Sequence, residues 1–460
     1  MEDKNTVKKA TEGSNGYVLK IALVAALGGL LFGYDTAVIS GVIGSLQKKF
    51  DLSPLMMGWA ASSAIWGCIA GVLVAGIISD KIGRKKTLAI TALLFLLSSI
   101  VAAVPQNLTG FIIGRFIGGL GIGAASIVSP LYISEIAPAR NRGTLVTMYQ
   151  LAIVIGINLI YFVNLKIAEI GGEQWNIDTG WRYMIASGAL PSVLFLVLLL
   201  VVPESPRWLV NKNKADEGFR ILEKINGSNR ARIILKEIEQ TLSEEKGKFS
   251  ELLQPGIRMA IIIGVMLALF SQITGINAII YYAPEIFKIA GFGTDSALLQ
   301  TVLIGVVNTV FTFVAIGFID KIGRKKLLLI GVAGMALCLS GIGICFHLNL
   351  MNGPLLLVFI LAYIASFASS LGPVSWVVIS EIFPTKTRGV AMSAVTVVLW
   401  IGVLFITQLT PWLLKNLGGA YTFWLFMINS IILLIFVWVR IPETKQKTLE
   451  EIEQGWRKAT

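Results

Sequence analysis

Long apolar runs, each closed off by a short polar or charged segment, follow one another from residue 18 to residue 440. A helix needs ~20 mostly apolar residues to cross the hydrocarbon of a bilayer. Runs of that kind predict twelve crossing helices, over 18–40, 57–79, 86–104, 108–132, 144–165, 181–201, 258–284, 297–319, 326–346, 355–380, 389–412 and 420–440. An even number places both chain ends on one side. The longest polar interval separates the sixth helix from the seventh. Within it Ile234, Ile238 and Leu242 recur at helical spacing among charges, which predicts short amphipathic helices outside the membrane. The expected organisation is therefore an amino-terminal segment 1–17, a six-helix bundle 18–201, a linker 202–257, a second six-helix bundle 258–440 and a tail 441–460. The fold class is an all-α membrane protein.

The two bundles are related in sequence. Asp80-Lys81-Ile82-Gly83-Arg84-Lys85-Lys86 recurs letter for letter at Asp320 to Lys326. Ser134-Glu135-Ile136, with Pro138 and Arg142-Gly143 after it, recurs as Ser380-Glu381-Ile382, Pro384 and Arg388-Gly389, and Pro203-Glu204 returns as Pro442-Glu443. Repeats at nearly one offset imply two structural duplicates. In that architecture one half rocks against the other around a site near the midplane.

Composition agrees with a lipid environment: 55% of residues are hydrophobic and 14% charged, against ~25% charged in soluble domains. The net charge of +12 does not form a nucleic-acid stripe, because the basic residues are dispersed between apolar runs. Thirty-two of them fall on the side of the two ends and the even-numbered connections, and six on the other. By the positive-inside rule both termini are cytoplasmic. Short connections on the outer side suit a bacterial inner membrane, although Asn107-Leu108-Thr109 has the form of a glycan acceptor. Cys68, Cys338 and Cys345 lie in apolar runs and suggest no disulfide framework. The first 17 residues have no small-residue cleavage site, so no removable signal peptide is expected. His347 sits at a helix end as an interface residue. No nucleophile–base set, metal spacing or phosphate loop occurs, so an enzyme, a metal and a cofactor are not expected, nor is an obligate protein partner.

Charges at the centre of a bilayer cost ~2.5–3.5 kcal/mol each, so they need partners and usually have a role. Asp35 lies past the middle of helix one and Arg115 early in helix four. The helices run in opposite directions, which brings both charges toward the outer half, within reach of each other. The couple is either a proton site, since desolvation raises a carboxyl pKa and a nearby Arg lowers it, or a permanent ion pair. The glycines 114, 118, 119 and 123 let helix four approach a neighbour closely. Gln150, Asn158, Gln272, Asn277 and Asn308 are amides inside spans, and Phe32, Tyr281, Trp376 and Trp400 are aromatics there. Amides both donate and accept, which suits a ligand rich in hydroxyls, and aromatic faces can cover apolar C–H surface. The same side chains also suit interhelical hydrogen bonds and packing.

At the helix ends, Asp80/Arg84, Glu135/Arg142, Glu204, Asp320/Arg324 and Glu381/Arg388 place acid and base in reach of one another. Such pairs can bridge helices across the cytoplasmic mouth, as a gate that breaks on opening.

The chain resembles the sugar porter family of the major facilitator superfamily over residues 20–455. The resemblance rests on Gly29-Leu30-Leu31-Phe32-Gly33-Tyr34-Asp35, both Asp-Lys-Ile-Gly-Arg-Lys-Lys loops, Pro203-Glu204-Ser205-Pro206-Arg207-Trp208, Gln272-Ile273-Thr274-Gly275-Ile276-Asn277, Gly372-Pro373-Val374-Ser375-Trp376 and Pro442-Glu443-Thr444-Lys445. It implies the major facilitator fold and proton-coupled transport of a monosaccharide, as in bacterial symporters of the xylose and glucose type, with sugar, proton and lipid as the partners. It also implies a proton site at Asp35, sugar contacts at Gln150, Gln272, Asn277, Asn308 and Trp376, and an aromatic beside the pocket at Trp400. Phe32 and Tyr281 join them as candidates. The chain departs from the family pattern at Ser271, where many members carry Gln, at Leu399, where many carry Asn or Gln, and at Ile157, where a pentose carrier places an amide. Those departures imply a less polar pocket. The competing readings are a facilitative uniporter, a polyol or inositol carrier, a non-transporting sugar sensor and a drug antiporter.

Overall fold

In hydrocarbon a backbone N–H or C=O finds no water, so a crossing segment must satisfy its own hydrogen bonds as a helix. A computed structural model describes residues 14–138, 141–243, 254, 258–350, 354–383 and 387–445, and among them every regular element is helical. The first thirteen residues, part of the linker and the tail beyond residue 445 lie outside this description. So do the side chains of Leu242 and Asp320.

The first half consists of α1 (Asn15–Ala37), α2 (Ile39–Phe50), α3 (Pro54–Ile82), α4 (Arg84–Val101), α5 (Leu108–Ile136), α6 (Arg142–Ala168), α7 (Trp181–Ala186) and α8 (Ala189–Leu199). Three helices follow in the linker, α9 (Pro206–Asn211), α10 (Ala215–Asn226) and α11 (Ser228–Ser243). The second half consists of α12 (Arg258–Ile273), α13 (Ile276–Ile289), α14 (Thr294–Ile322), α15 (Arg324–His347), α16 (Pro354–Ala368), α17 (Leu371–Ile382), α18 (Arg388–Asn416) and α19 (Gly418–Arg440). Among the described residues eleven helical stretches are long and apolar enough to span a membrane. The twelfth crossing is α4, whose first turn carries Arg84, Lys85 and Lys86. Large apolar side chains such as Ile77, Leu190 and Leu337 are exposed on the outer surface, as a lipid-facing coat requires.

The helices differ from the sequence expectation in one consistent way: four crossings are broken where an unbroken run was predicted. The first does not stop at residue 40. It turns at Val38 and continues as α2 to Phe50, where Ser45, Gln47, Lys48 and Lys49 had ended the apolar signal while Val42, Ile43 and Leu46 stayed buried. The sixth breaks between α7 and α8, the seventh at Thr274-Gly275, and the tenth between α16 and α17.

The break in the seventh shows how such an interruption survives in lipid. Gly275 adopts φ +93°, and a Cβ there would lie 2.4 Å from the Phe426 ring. Three of the carbonyls around the break are capped by side chains, and Gln272 O accepts from the Gly275 N–H at 3.1 Å. Ser271 O accepts from Thr274 Oγ1 at 3.1 Å, Ile273 O from Asn429 Nδ2 at 3.2 Å, and Thr274 O from Tyr363 OH at 3.0 Å. Within each half, α1 packs on α6, α3 and α4 on α5, α12 on α18 and α15 on α19; the halves meet through α18 on α3, α14 on α6 and α13 on α2.

Gly275→Ala must combine a left-handed backbone with a clash against Phe426. Its melting temperature in detergent is expected to fall by the equivalent of ~1–3 kcal/mol. Gly76→Ala, where an added Cβ meets nothing within 4 Å, is expected to melt like the parent.

Candidate functional site

Arg115 of α5 reaches the last turn of α1. Its Nη1 donates to Asp35 Oδ1 at 2.9 Å and its Nη2 to the Asp35 carbonyl at 2.9 Å, so one guanidinium holds both the side chain and the backbone of the same residue. Arg115 is 1% exposed. Asp35 Oδ2 and Arg115 Nε are shut off from solvent and find no hydrogen-bond partner among the described residues. The approach needs a glycine on α5: a Cβ at Gly118 would lie 3.1 Å from Asp35 Oδ2 and 2.5 Å from Ser98 Oγ. Beside the pair is a void of about 10 Å³ whose lining includes Thr36, Ala61, Cys68, Arg115, Tyr281 and Trp400. It holds a water at most. Tyr281 and Trp400 belong to the second half, so the ion pair sits at the seam.

Two of the amides pair within the second half. Asn277 Nδ2 donates to Gln272 Oε1 at 2.7 Å across the break between α12 and α13, and both residues are buried. Trp400 of α18 stacks at a tilt on Phe32 of α1, with ring centroids 5.6 Å apart. These contacts join five of the eight predicted sugar-site residues in two groups, Gln272 with Asn277, and Trp400 with Phe32 and Tyr281. Gln150, Asn308 and Trp376 form no side-chain hydrogen bond or ring contact among the described residues; Gln150 and Trp376 are half-buried and Asn308 is buried. Asn158, which the resemblance had left without a role, lies against Gly305 of α14, where a Cβ would be 2.7 Å from its Oδ1. It is a contact between the halves.

Sequence reasoning missed the hydrogen bonds that close one face. Pro284 inside α13 has no N–H, which orphans the Ile280 carbonyl one turn earlier; Tyr161 of α6 donates to it at 2.7 Å from the opposite half. The same device recurs at Pro411 in α18. The Thr407 carbonyl freed there accepts from Tyr282 OH at 2.8 Å. Gln408 adds a second tie between the halves, accepting from Ser62 Oγ at 2.8 Å and donating to the Leu55 carbonyl at 3.0 Å. A proline inside a span was the available signal, because it announces a carbonyl that some neighbour must satisfy.

On the face carrying the duplicated basic loops, the ion pairs of Arg84 with Asp80 and Glu135 and of Arg324 with Glu381 each join elements of one half. Arg84 donates to Glu135 through Nε and Nη2, both at 2.9 Å, and to Asp80 at 3.1 Å. Arg324 Nη2 donates to Glu381 at 3.0 Å. Glu204 serves as a cap: its carboxylate accepts from the backbone N–H of Arg84 at 2.9 Å and of Lys85 at 3.2 Å, at the start of α4. Glu443 does the same for Arg324 at 3.0 Å and Lys325 at 3.2 Å, at the start of α15. The repeated glycine allows this, since Gly83 and Gly323 both take positive φ. Arg142 is exposed, and Arg388 Nη2 donates to the Phe383 carbonyl at 3.3 Å.

Two six-helix halves with a buried acid–arginine pair at their seam and a buried amide pair in the second half are the architecture of a membrane transporter. The chain belongs to the sugar (and other) transporter family, whose model matches residues 21–456. It is 48% identical to the arabinose-proton symporter of Bacillus subtilis, covering 97% of this chain and 96% of that protein. It is 42% identical to the D-xylose-proton symporter of Escherichia coli, with 98% of each chain covered. The partially occluded inward-open structure of the E. coli xylose transporter XylE superposes with a TM-score of 0.86 at 41% identity, covering 94% of this chain and 100% of that one. The fold is that of the major facilitator superfamily, and the protein is a transporter, not an enzyme.

Tyr161→Phe leaves the Ile280 carbonyl without its donor inside the closed seam, a loss of ~1–3 kcal/mol. Deuterium uptake across Ile276–Ile289 is expected to rise in the purified variant, while α15 stays as protected as in the parent.

Proposed function

We propose that the protein carries a monosaccharide, a pentose of the arabinose or xylose kind, together with a proton by alternating access. The observation that carries this reading is the meeting at one seam of Asp35–Arg115 from the first half with Tyr281 and Trp400 from the second, with Asn277, the partner of Gln272, one turn before Tyr281 on α13. The names of its relatives, symporters for arabinose and xylose, support the same substrate class. The basic face, with both termini, is the cytoplasmic one in a bacterial cell membrane, as the thirty-two to six division of basic residues requires.

Residues 18–201 and 258–440 are the two moving bodies. Sugar enters from the outer side while the proton loads on Asp35 and loosens its grip on Arg115. The neutral carboxyl no longer needs a cation, so the end of α1 is free to shift toward the second half. Gln272 and Asn277 hold the sugar hydroxyls, Gln150 and Asn308 complete the ring of amides, and Phe32, Tyr281, Trp376 and Trp400 cover its apolar surface. The Tyr161–Ile280 and Ser62–Gln408 bonds then seal the outer side. On the cytoplasmic face Glu135, Glu204, Glu381 and their arginines brace each half so that it moves as a unit and the mouth opens between them. One proton crossing 100 mV supplies ~2.3 kcal/mol, enough for accumulation of about fiftyfold.

Asp35→Asn is expected to abolish pH-driven accumulation of labelled pentose in vesicles while leaving counterflow exchange in place. Full accumulation by that variant would remove Asp35 from coupling, and sugar uptake by the parent without alkalinisation of the medium would make the protein a uniporter. Gln272→Ala is expected to raise the KM for sugar by ~5–30-fold, the loss of one to two hydrogen bonds; an unchanged KM would move the pocket elsewhere.

A further inference from the structure

The Gln272–Asn277 pair is one link of a longer chain of hydrogen bonds, and that chain has a direction. Ser271 is 4% exposed, and its hydroxyl lies 2.7 Å from the Ala268 carbonyl one turn back in α12. A carbonyl oxygen only accepts, so the single hydroxyl proton of Ser271 is committed to Ala268. Toward any other neighbour Ser271 Oγ can then only accept. The neighbour is the side chain of Gln272, 2.9 Å away. The Gln272 atom facing Ser271 is therefore the amide nitrogen, and the oxygen must face the other way, toward Asn277. At 2.7 Å, that oxygen takes a proton from Asn277, which must present its own nitrogen and turn its carbonyl oxygen, Oδ1, away from the pair.

We infer that Ser271 is a positioning residue for substrate: by accepting from Gln272 Nε2 it fixes the donor–acceptor polarity of the amide pair, so that the cleft offers a sugar hydroxyl the Asn277 Oδ1 acceptor together with the remaining amide N–H of each residue. An amide is nearly symmetric in shape, and packing alone does not choose between its two orientations. Without the serine oxygen, Gln272 can rotate by half a turn, Asn277 can follow, and the pattern presented to the hydroxyls is reversed in part of the population. Only the matching fraction binds, so apparent affinity falls in proportion. The inference rests on the proposal that Gln272 and Asn277 bind sugar.

The test compares Ser271→Ala, Ser271→Thr, Gln272→Ala and the double variant Ser271→Ala/Gln272→Ala, each checked for monodispersity and melting temperature. L-arabinose and D-xylose serve as substrates in proteoliposomes, with Kd measured in detergent by intrinsic fluorescence. Ser271→Ala is expected to raise KM and Kd by about threefold to tenfold, the effect of one hydrogen bond, with the saturated rate within about twofold of the parent. Ser271→Thr, which keeps the hydroxyl, is expected to restore affinity. Because Ser271 acts through Gln272, the double variant is expected to bind no more weakly than Gln272→Ala alone, a non-additivity that a merely structural loss does not produce. Parental affinity in Ser271→Ala, beside a weakened Gln272→Ala, overturns the role of Ser271 and leaves the binding site standing. Additive losses in the double variant overturn it as well. Parental affinity in both single variants removes the binding site itself, and the inference with it. If Ser271→Ala or Ser271→Thr is not monodisperse, Ser271→Cys replaces it: a weaker acceptor, it is expected to bind with intermediate affinity, and parental affinity there overturns the inference.

Discussion

A medium without water leaves no polar backbone group free to wait for a partner, and the whole molecule is arranged around that constraint. Continuous helices meet it trivially. Helices that must bend, hinge or expose a carbonyl to a ligand meet it only with help from elsewhere. The seventh crossing breaks at Gly275, and Thr274, Asn429 and Tyr363 each supply a donor to a carbonyl the break releases. Pro284 and Pro411 release two more, which Tyr161 and Tyr282 take up. Satisfying the backbone thus decides where the polar side chains of the second half sit. Because Tyr161 comes from the first half, it also links backbone satisfaction to closure of the seam.

Charge obeys the same rule more severely. Arg115 can be buried because Asp35 neutralises it, and the pair can form because Gly118 lets the carboxylate approach. Its geometry is suited to change. Arg115 holds Asp35 by side chain and backbone together, at the end of α1 and three residues before the hinge at Val38. A proton on the carboxyl removes the ionic part of that grip and leaves the backbone bond. The end of α1 then shifts from a charged anchor to a polar contact, next to a ring, Phe32, that already touches Trp400 across the seam. In the proposed mechanism proton and sugar act on neighbouring parts of one small region, and coupling between them needs no long path.

The conserved-looking duplication of the basic loops acquires a mechanical meaning of its own. Glu204 and Glu443 cap the helices that begin at Arg84 and Arg324, while Glu135 and Glu381 hold the side chains of those same arginines. Each loop is thereby tied to its own half. In the proposed mechanism these ties let a bundle of six helices turn as one body, opening one face while shutting the other.

Much of this was written along the chain, because the hydrocarbon thickness sets a helix length and the same apolar run repeats twelve times. The two halves were legible from the letter-for-letter repeats, and the pairing of Asp35 with Arg115 from the cost of an isolated charge in lipid. The breaks were not legible. Val38, Ser187-Gly188 and Ser369-Ser370 sit in long, mostly apolar runs, and at Val38 the carbonyl is met by Asn164, 126 residues away. Nor was the direction of the Ser271–Gln272–Asn277 chain, since an amide's orientation is chosen by what stands around it in space. Nor was the role of Glu204, whose carboxylate is committed to backbone N–H groups that only the folded loop presents. Sequence alone determined the solvent, the helix count and the duplication, all consequences of local composition measured against a membrane. Tertiary structure decided which carbonyls are free, which donors reach them and how the halves touch, because those depend on contacts between residues that the chain keeps far apart.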